Sequence, residues 1–422
     1  MPWTETHAME QRMQFMVAFL KEAHSVAELC RQFQISRKTA YKWIGRYAAV
    51  GAVGLADRSR APHAHPNSVP CEQLQAILEA RDAHPLWGPR KLMKILYGNG
   101  RAQDWPARST VAALLKLHGR VVDRKKRRRV PPQSKPLAHA DGANAVWCCD
   151  FKGWFYTGEG HKCHPLTISD AFSRYLLRCQ GLLQTGVEAA QPIFEAAFRE
   201  YGLPWAIRSD NGAPFASRSV GGLSRLSTWW IKLGIRPERI EPGKPQQNGR
   251  HERMHLTLKQ QTAQPPANTF ARQQQRLDDF RREYNELRPH EALEMETPAS
   301  LYVPSPRAFP SRLAEIEYAD GWQCRRVFSG GDFNWKNRPV FISEVLQGET
   351  IGLKPLDDRH WRTYFGPVFL GVLDGYRGHV LTGAALRRLD RQRMEAGLVA
   401  ATPPAAAPSA ALQEPPRGEA KV

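Results

Sequence analysis

Apolar positions recur every three to four residues along the first part of the chain, and that spacing predicts short helices. Val26, Leu29, Cys30 and Phe33 mark one apolar face, and Ala40, Trp43, Ile44 and Tyr47 mark a second after a break at Ile35-Ser36, with Ser36 placed as N-cap. Two short helices across a tight turn predict a helix-turn-helix domain over 1–60, although Gln34 stands where the turn glycine is usual. A turn-rich stretch, 61–69, separates it from a second helical region at 70–120. There Leu74, Ile77 and Leu78 mark one helix and Leu92 and Ile95 a second. Ser109 is placed as the cap of a third, with Val111, Leu114, Leu115 and Leu117 on its inner side.

The period changes from about residue 143. Ala145–Tyr156, Pro165–Ser169 and Tyr175–Leu183 read as strands, and Ala189, Ile193, Ala196 and Ala197 mark a helix over 186–201. Trp205–Arg208 is a short strand that ends at Ser209-Asp210-Asn211-Gly212. A helix near 223–233, a strand near 235–240 and a long helix over 247–262 follow, with more helix to 287. Three strands and then alternating helix and strand predict an α/β domain with a mixed sheet over 140–305. Residues 320–375 carry five short strand candidates: Arg325–Phe328, Pro339–Ser343, Thr350–Lys354, Trp361–Phe365 and Val368–Leu373. Glycine and proline punctuate them, and they are read as a small β-barrel or sandwich. After a short basic helix, the Pro/Ala-rich end (385–422) is read as a disordered tail.

Composition narrows the class. The chain has 422 residues, too many for one ordinary domain, and 42% of them are hydrophobic, enough for several cores. Sixty Lys and Arg against 41 Asp and Glu leave a formal charge of +19, which favours a polyanionic partner. No apolar run is long enough to span a bilayer, and seven scattered cysteines suit reduced thiols better than a disulfide framework. A cytoplasmic, nucleoid-associated protein without membrane contact is therefore expected. The cations cluster where DNA contact is expected. Arg37, Lys38, Thr39 and Lys42 lie on the open face of the second helix, suited to a major groove. Arg108 lies just before the cap of the third helix of the second region, and the run Arg124, Lys125, Lys126, Arg127, Arg128 and Arg129 forms a phosphate-contacting linker within 121–139.

Three carboxylates carry the chemistry. Cutting a phosphodiester requires a nucleophile made near neutral pH and a stabilised leaving oxygen, which two divalent cations can supply from clustered carboxylates. Asp150 lies in the first strand among Trp147, Phe151 and Trp154. Asp210 ends a buried strand, where α/β sheets place ligands, and Asn211-Gly212 permit a sharp turn. Glu252 falls one turn into the long helix, after Pro242–Gly249. His255 or Leu256, and then Lys259, share its face. Each alone has a bland reading as a turn, a surface acid or a cap. Asp170 is read as structural, near Arg174, and Glu238 and Glu241 are nominal rivals to Glu252 beside prolines. Cys148, Cys149, His161, Cys163 and His164 fit no standard zinc spacing, and apolar β packing is the simpler account.

The ordered set is more specific than its members. Asp150 in a first strand, Ser209-Asp-Asn-Gly-Ala-Pro-Phe215 and Pro242-Gly-Lys-Pro-Gln-Gln-Asn-Gly-Arg-His-Glu-Arg-Met-His resemble the DDE transposases of bacterial insertion sequences. So do Asp170–Arg174, His290–Leu293 and Thr297–Ser300. The resemblance implies a ribonuclease H-like core shared with retroviral integrases and two Mg²⁺ (or Mn²⁺) ions per site. It further implies Asp150, Asp210 and Glu252 as catalytic metal ligands, Lys259 as the basic residue following the glutamate, and Lys244 and Arg250 as DNA contacts. Forty-one residues lie between Asp210 and Glu252, a longer interval than the resemblance leads one to expect, and the excess is placed in Ser217–Leu226. A transposase that binds element ends, cleaves and transfers strands, and works on duplex DNA as a dimer or larger synaptic assembly, is the expected function. Two alternatives remain open: a catalytically inactive DNA-binding regulator descended from such an enzyme, and a metal-dependent nuclease without strand transfer. An RNA or membrane-surface binder would account for the charge alone.

Overall fold

The computed structural model describes residues 8–59, 68–97, 105–121, 137, 140–217, 219–240 and 249–403. The chain forms two compact units, Met1–Pro70 and Cys71–Val422.

The first unit holds α1 (Ala8–Leu20), α2 (Val26–Gln32) and α3 (Arg37–Val50). Ser25 and Glu28 form a reciprocal capping box that fixes the start of α2. Ser36 caps α3 as its position predicted, its hydroxyl accepting from the Thr39 amide at 3.1 Å. Leu29, Cys30, Ala40 and Trp43 are buried together, with Val26, Phe33, Ile44 and Tyr47 packed around them. Gln34 adopts φ 54°, so the turn keeps the left-handed backbone that glycine usually supplies.

The second unit begins with α4 (Cys71–Ala83), α5 (Pro89–Tyr97) and α6 (Arg108–Leu117). Ile77, Trp87, Leu92, Val111 and Leu115 form their core. Three details differ from expectation. The N-cap of α6 is Ala107, without a side-chain bond, so Ser109 lies inside the helix and Arg108 is its first residue. Leu117 is 79% exposed, because it stands about half a turn away from the face that Val111 and Leu115 bury; Ile95, 39% exposed, also lies outside the core.

The sheet that follows comprises β1 (Val146–Phe151), β2 (Phe155–Tyr156), β3 (Lys162–Asp170), β4 (Leu176–Leu182), β5 (Ala206–Ser209) and β6 (Arg236–Arg239). The order is β2-β3-β1-β5-β6, with β4 also paired to β3. Strands β1, β3 and β4 pair antiparallel, whereas β5 runs parallel to both β1 and β6. This is the predicted mixed sheet. One face, with Trp147, Cys149, Leu166, Ile168 and Ile207, packs on α7 (Val187–Tyr201) and α8 (Arg225–Lys232) through Phe194, Phe198 and Trp230. The other face, with Leu176 and Cys179, receives α9 (Gly249–Thr262) and α10 (Phe270–Arg282) through Met254, Leu258, Leu277 and Phe280. A short helix α11 (Pro298–Leu301) leads out of the domain.

The C-terminal region corrects the barrel expectation. Strands β7 (Gln323–Arg326), β10 (Thr350–Pro355), β11 (His360–Phe365), β12 (Val368–Asp374) and β13 (His379–Leu381) form an open antiparallel sheet, and β8 (Asp332–Trp335) and β9 (Arg338–Phe341) form a separate hairpin. Closure fails because the short edge strands β7 and β13 do not pair, and Pro339 lacks the N–H that a ladder through β9 would need. The tail expectation is also corrected for 385–403. Helix α12 (Gly383–Glu395) is followed by a segment tied back to the sheet, where Arg362 donates to the Ala401 and Ala400 carbonyls at 2.7 and 2.6 Å. The run 404–422 lies outside the described residues.

Candidate active site

Strands β1 and β5 lie in parallel register, with Val146 opposite Ala206, Trp147 opposite Ile207 and Cys148 opposite Arg208. Asp150 lies two residues beyond the last paired position of β1, and Asp210 follows the end of β5 at Ser209, so both stand at the carboxyl end of this strand pair. Alternation directs the Asp150 carboxylate away from the α7/α8 core. The Cys149 thiol is buried on the opposite face, in the α7/α8 core. It is pushed well above its ordinary pKa, first by burial, then by Cys148, Asp150 and Asp210. Both aspartates are half-buried. Asp210 Oδ1 accepts from the Gly212 amide at 3.1 Å, which turns the chain sharply at the strand end. A Cβ on Gly212 would approach Asp210 Oδ2 to 3.1 Å, so a side chain there would crowd the carboxylate.

Glu252 is exposed in the first turn of α9, and two histidines place that turn. His251 and His255 are 3% and 6% exposed and both point into the sheet. Their Nε2 atoms each lie 2.7 Å from Thr167 Oγ1. Thr167 sits opposite Asp150 in the β1–β3 register, and its hydroxyl donates to the Asp150 carbonyl at 3.1 Å. His255 Nδ1 stands 3.9 Å from Asp150 Oδ2. Burial drives the pKa of His251 down to about 4 and, with the His251 and Lys152 charges opposing protonation, that of His255 down to about 2. Both rings are therefore neutral near pH 7. On α9 it is Leu256, 45% exposed, that shares the open face with Glu252 and Lys259, while His255 is inward. His251 and Thr167 escaped the sequence reading; the available signal was a pair of histidines four residues apart that straddles Glu252.

The rival acids have other work. Glu238 accepts from Arg208 at 2.9 Å with both side chains largely buried, and from Arg236 at 2.9 Å. Asp170, 1% exposed, accepts from the Asn144 amide at 2.8 Å and from the Ser173 amide and hydroxyl at 2.7 Å, a structural role as expected. Glu241 lies outside the described residues. Among the described residues no group of three or more His, Cys, Asp and Glu side chains is arranged to hold a metal ion, and this includes Asp150, Asp210 and Glu252 as well as the Cys148–His164 set.

Of the expected DNA contacts, Arg37, Lys38 and Lys42 are exposed on α3, Thr39 is half-buried against Ser36, and Arg108 and Lys259 are exposed on α6 and α9. Lys42 leans over the Trp43 ring at 4.3 Å. Arg250 belongs to α9, while Arg124–Arg129 and Lys244 lie outside the described residues. No described helix is long and apolar enough to cross a membrane.

This mixed sheet with two strand-end aspartates and a helix-borne glutamate is matched by two integrase core domain models, over 140–245 and 233–298. A helix-turn-helix domain model matches 11–63 and a homeodomain-like model 39–115. Among curated proteins, an uncharacterized 31.7 kDa protein of insertion element IS407 from Burkholderia multivorans is 30% identical over 181 residues, covering 42% of this chain. The match spans only 61% of that relative's length. An uncharacterized 39.2 kDa protein of insertion element IS476 from Xanthomonas euvesicatoria is 29% identical over 255 residues, covering 57% of this chain and 68% of the relative. The catalytic core domain of BIV integrase aligns with 38% of this chain and 93% of its own, at 21% identity and a TM-score of 0.30. The class defined is an integrase-core protein with helix-turn-helix domains ahead of the core. Residues 140–298 carry an integrase core, and the chain is similar to proteins of bacterial insertion elements.

Proposed function

We propose that this chain binds the ends of an insertion sequence and catalyses metal-dependent DNA cleavage and strand transfer through Asp150, Asp210 and Glu252. The observation that carries the reading is the parallel register that sets Asp150 and Asp210 on neighbouring strand ends. Two hard oxygen donors at one sheet edge suit Mg²⁺ or Mn²⁺, and Glu252, exposed on a helix anchored over the same strand, would supply a third. When bound, the cations would polarise the phosphate and ease formation of the nucleophile. The protein's own residues then do the positioning. Gly212 keeps the Asp210 carboxylate uncrowded, Thr167 and the two histidines hold the Glu252 turn over β1, and Lys259, two turns along the open face, meets DNA phosphate. The basic face of α3 would read the element ends, and a dimer or larger synaptic assembly would bring two ends together.

The test uses the purified full chain, DNA carrying the element's ends, and Mg²⁺ or Mn²⁺. End cleavage that frees a 3′-hydroxyl, followed by its joining to target DNA, is expected, with loss in Asp150→Asn, Asp210→Asn and Glu252→Gln. Nicks without joined products would favour a plain nuclease. Specific end binding with no cleavage under any cation would favour a regulator.

A further inference from the structure

We propose that a groove beside the β8–β9 turn binds an unpaired nucleotide of a DNA strand. The groove has an open volume of 640 Å³ and is lined by Trp335, Lys336, Arg338, Arg359 and Tyr376, with Asp358 the carboxylate among them. Trp335 and Trp361 meet edge to face with centroids 4.5 Å apart, and the Trp335 indole N–H donates to the Gly375 carbonyl at 3.2 Å. Lys336 Nζ stands 6.0 and 5.9 Å from the two rings. Tyr376 is 81% exposed, yet its backbone is pinned, because its amide donates to Asp374 Oδ1 at 3.1 Å. Arg359 donates twice to Asp374, at 3.0 and 2.7 Å, and its guanidinium lies 5.8 Å from the Tyr376 ring.

The backbone supplies a second, independent observation. Trp335 pairs with Arg338, so Lys336 and Asn337 alone connect the strands, at φ 47° and 63°. Turns with both central residues left-handed favour Asn-Gly, and lysine is a strained occupant. Strain held at a position that presents a cation to an aromatic groove points to function rather than folding. Lys336 and Arg338 are exposed and, among the described residues, form no ion pair.

The chemistry selects the ligand. Two uncommitted cations suit phosphate, and a held, exposed tyrosine ring suits the π-face of a base. A duplex hides its base faces, so an unpaired nucleotide is the form of DNA that uses both features. Its lining includes none of Asp150, Asp210 and Glu252 and requires no divalent metal ion, so it can be tested apart from the joining reaction.

The experiment measures binding of the full chain to a labelled oligothymidylate and to a duplex, in EDTA, with thermal melting of each variant. Lys336→Gly is expected to raise Tm while weakening oligothymidylate binding several-fold and lowering the slope of log affinity against log salt by about 0.7. Asn337→Gly, which eases the same turn but keeps the cation, is expected to raise Tm with affinity unchanged. Tyr376→Ala is expected to weaken oligothymidylate binding about 5- to 100-fold and leave duplex binding alone. An oligonucleotide carrying photoreactive iodouracil is expected to crosslink to Tyr376. The proposal is overturned if Lys336→Gly binds as tightly as the parent, if Tyr376→Ala weakens duplex and single strand equally, or if the crosslinks fall wholly elsewhere. Because the binding assay runs in EDTA and has no cleavage readout, a failure of catalysis and a failure of this site remain distinct.

Discussion

Thr167 Oγ1 lies 2.7 Å from His255 Nε2, and that single hydroxyl also meets His251 Nε2 at 2.7 Å and the Asp150 carbonyl at 3.1 Å. A threonine hydroxyl has one proton and two lone pairs. The carbonyl can only accept, so the proton goes to Asp150 and both imidazoles donate from Nε2. One oxygen thereby joins the strand of Asp150 to the helix of Glu252. Thr167→Val keeps the shape and removes every one of these bonds. Leaving buried donors unsatisfied costs about 1–3 kcal/mol each, which denaturant titration would register. Strand transfer should fall about 10- to 100-fold, as for groups that orient ligating residues, and Thr167→Ser should restore most of it. A valine variant with unchanged stability and rate would remove the clamp from the account.

Asp210→Asn should abolish cleavage without harming the fold. Like charges at the ends of neighbouring parallel strands repel, so removing one should leave stability unchanged or raise it by about 0.5–1 kcal/mol. Mg²⁺ should raise the melting temperature of the parent protein and not of the variant. A variant that melts well below the parent would mean that Asp210 is structural.

The helix-turn-helix and the mixed sheet were legible because their signals are local: Ser36 before an apolar 3.6-residue period, and strand-length apolar runs ending at Asp150 and Asp210. The Thr167 clamp was not. It depends on the β1–β3 register, which no local pattern around Thr167 announces, and on burial that turns two polar histidines inward. Trp87, 1% exposed, escaped for a related reason, since it stands between the helices whose periods were being counted. Strands β8 and β13 are only four and three residues long, too short for alternation to register. Barrel closure was over-read because strand spacing says nothing about whether the two edges meet.

Glu238→Gln separates the two glutamates that compete on paper. Its carboxylate is held by Arg208, with side chains 14% and 10% exposed. Breaking such a pair strands a buried charge and costs about 3–5 kcal/mol. Glu238→Gln should therefore melt early, while Glu252→Gln, changed at an exposed position, should melt like the parent and fail to cleave. The reverse pattern in thermal melts and cleavage assays would exchange their roles.

Gln34→Gly should stabilise the N-terminal unit, since φ 54° is strained for glutamine and free for glycine. The gain should be about 1 kcal/mol, read from the unfolding midpoint. Gln34 is exposed and outside the basic face of α3, so duplex affinity should not fall. A destabilised glycine variant would show that the glutamine side chain contributes more than its backbone costs.

Acid should weaken the second unit as pH falls below 6.5. His290 is depressed from its ordinary 6.5 to about 3, chiefly by burial and then by the Lys91 charge, with Arg288 and Arg174 acting the same way and a bond to the Tyr284 carbonyl opposing them. A depressed folded-state pKa means that the unfolded chain takes up the proton first. The stabilising contribution is thus complete above pH 6.5 and declines as pH falls from there toward 3. Melting of His290→Gln across this window should show a shallower acid slope than the parent, by up to one proton's worth. Parallel slopes would mean that His290 binds its proton equally in the folded and unfolded chain, and that Lys91 and Arg288 do not exclude its charge.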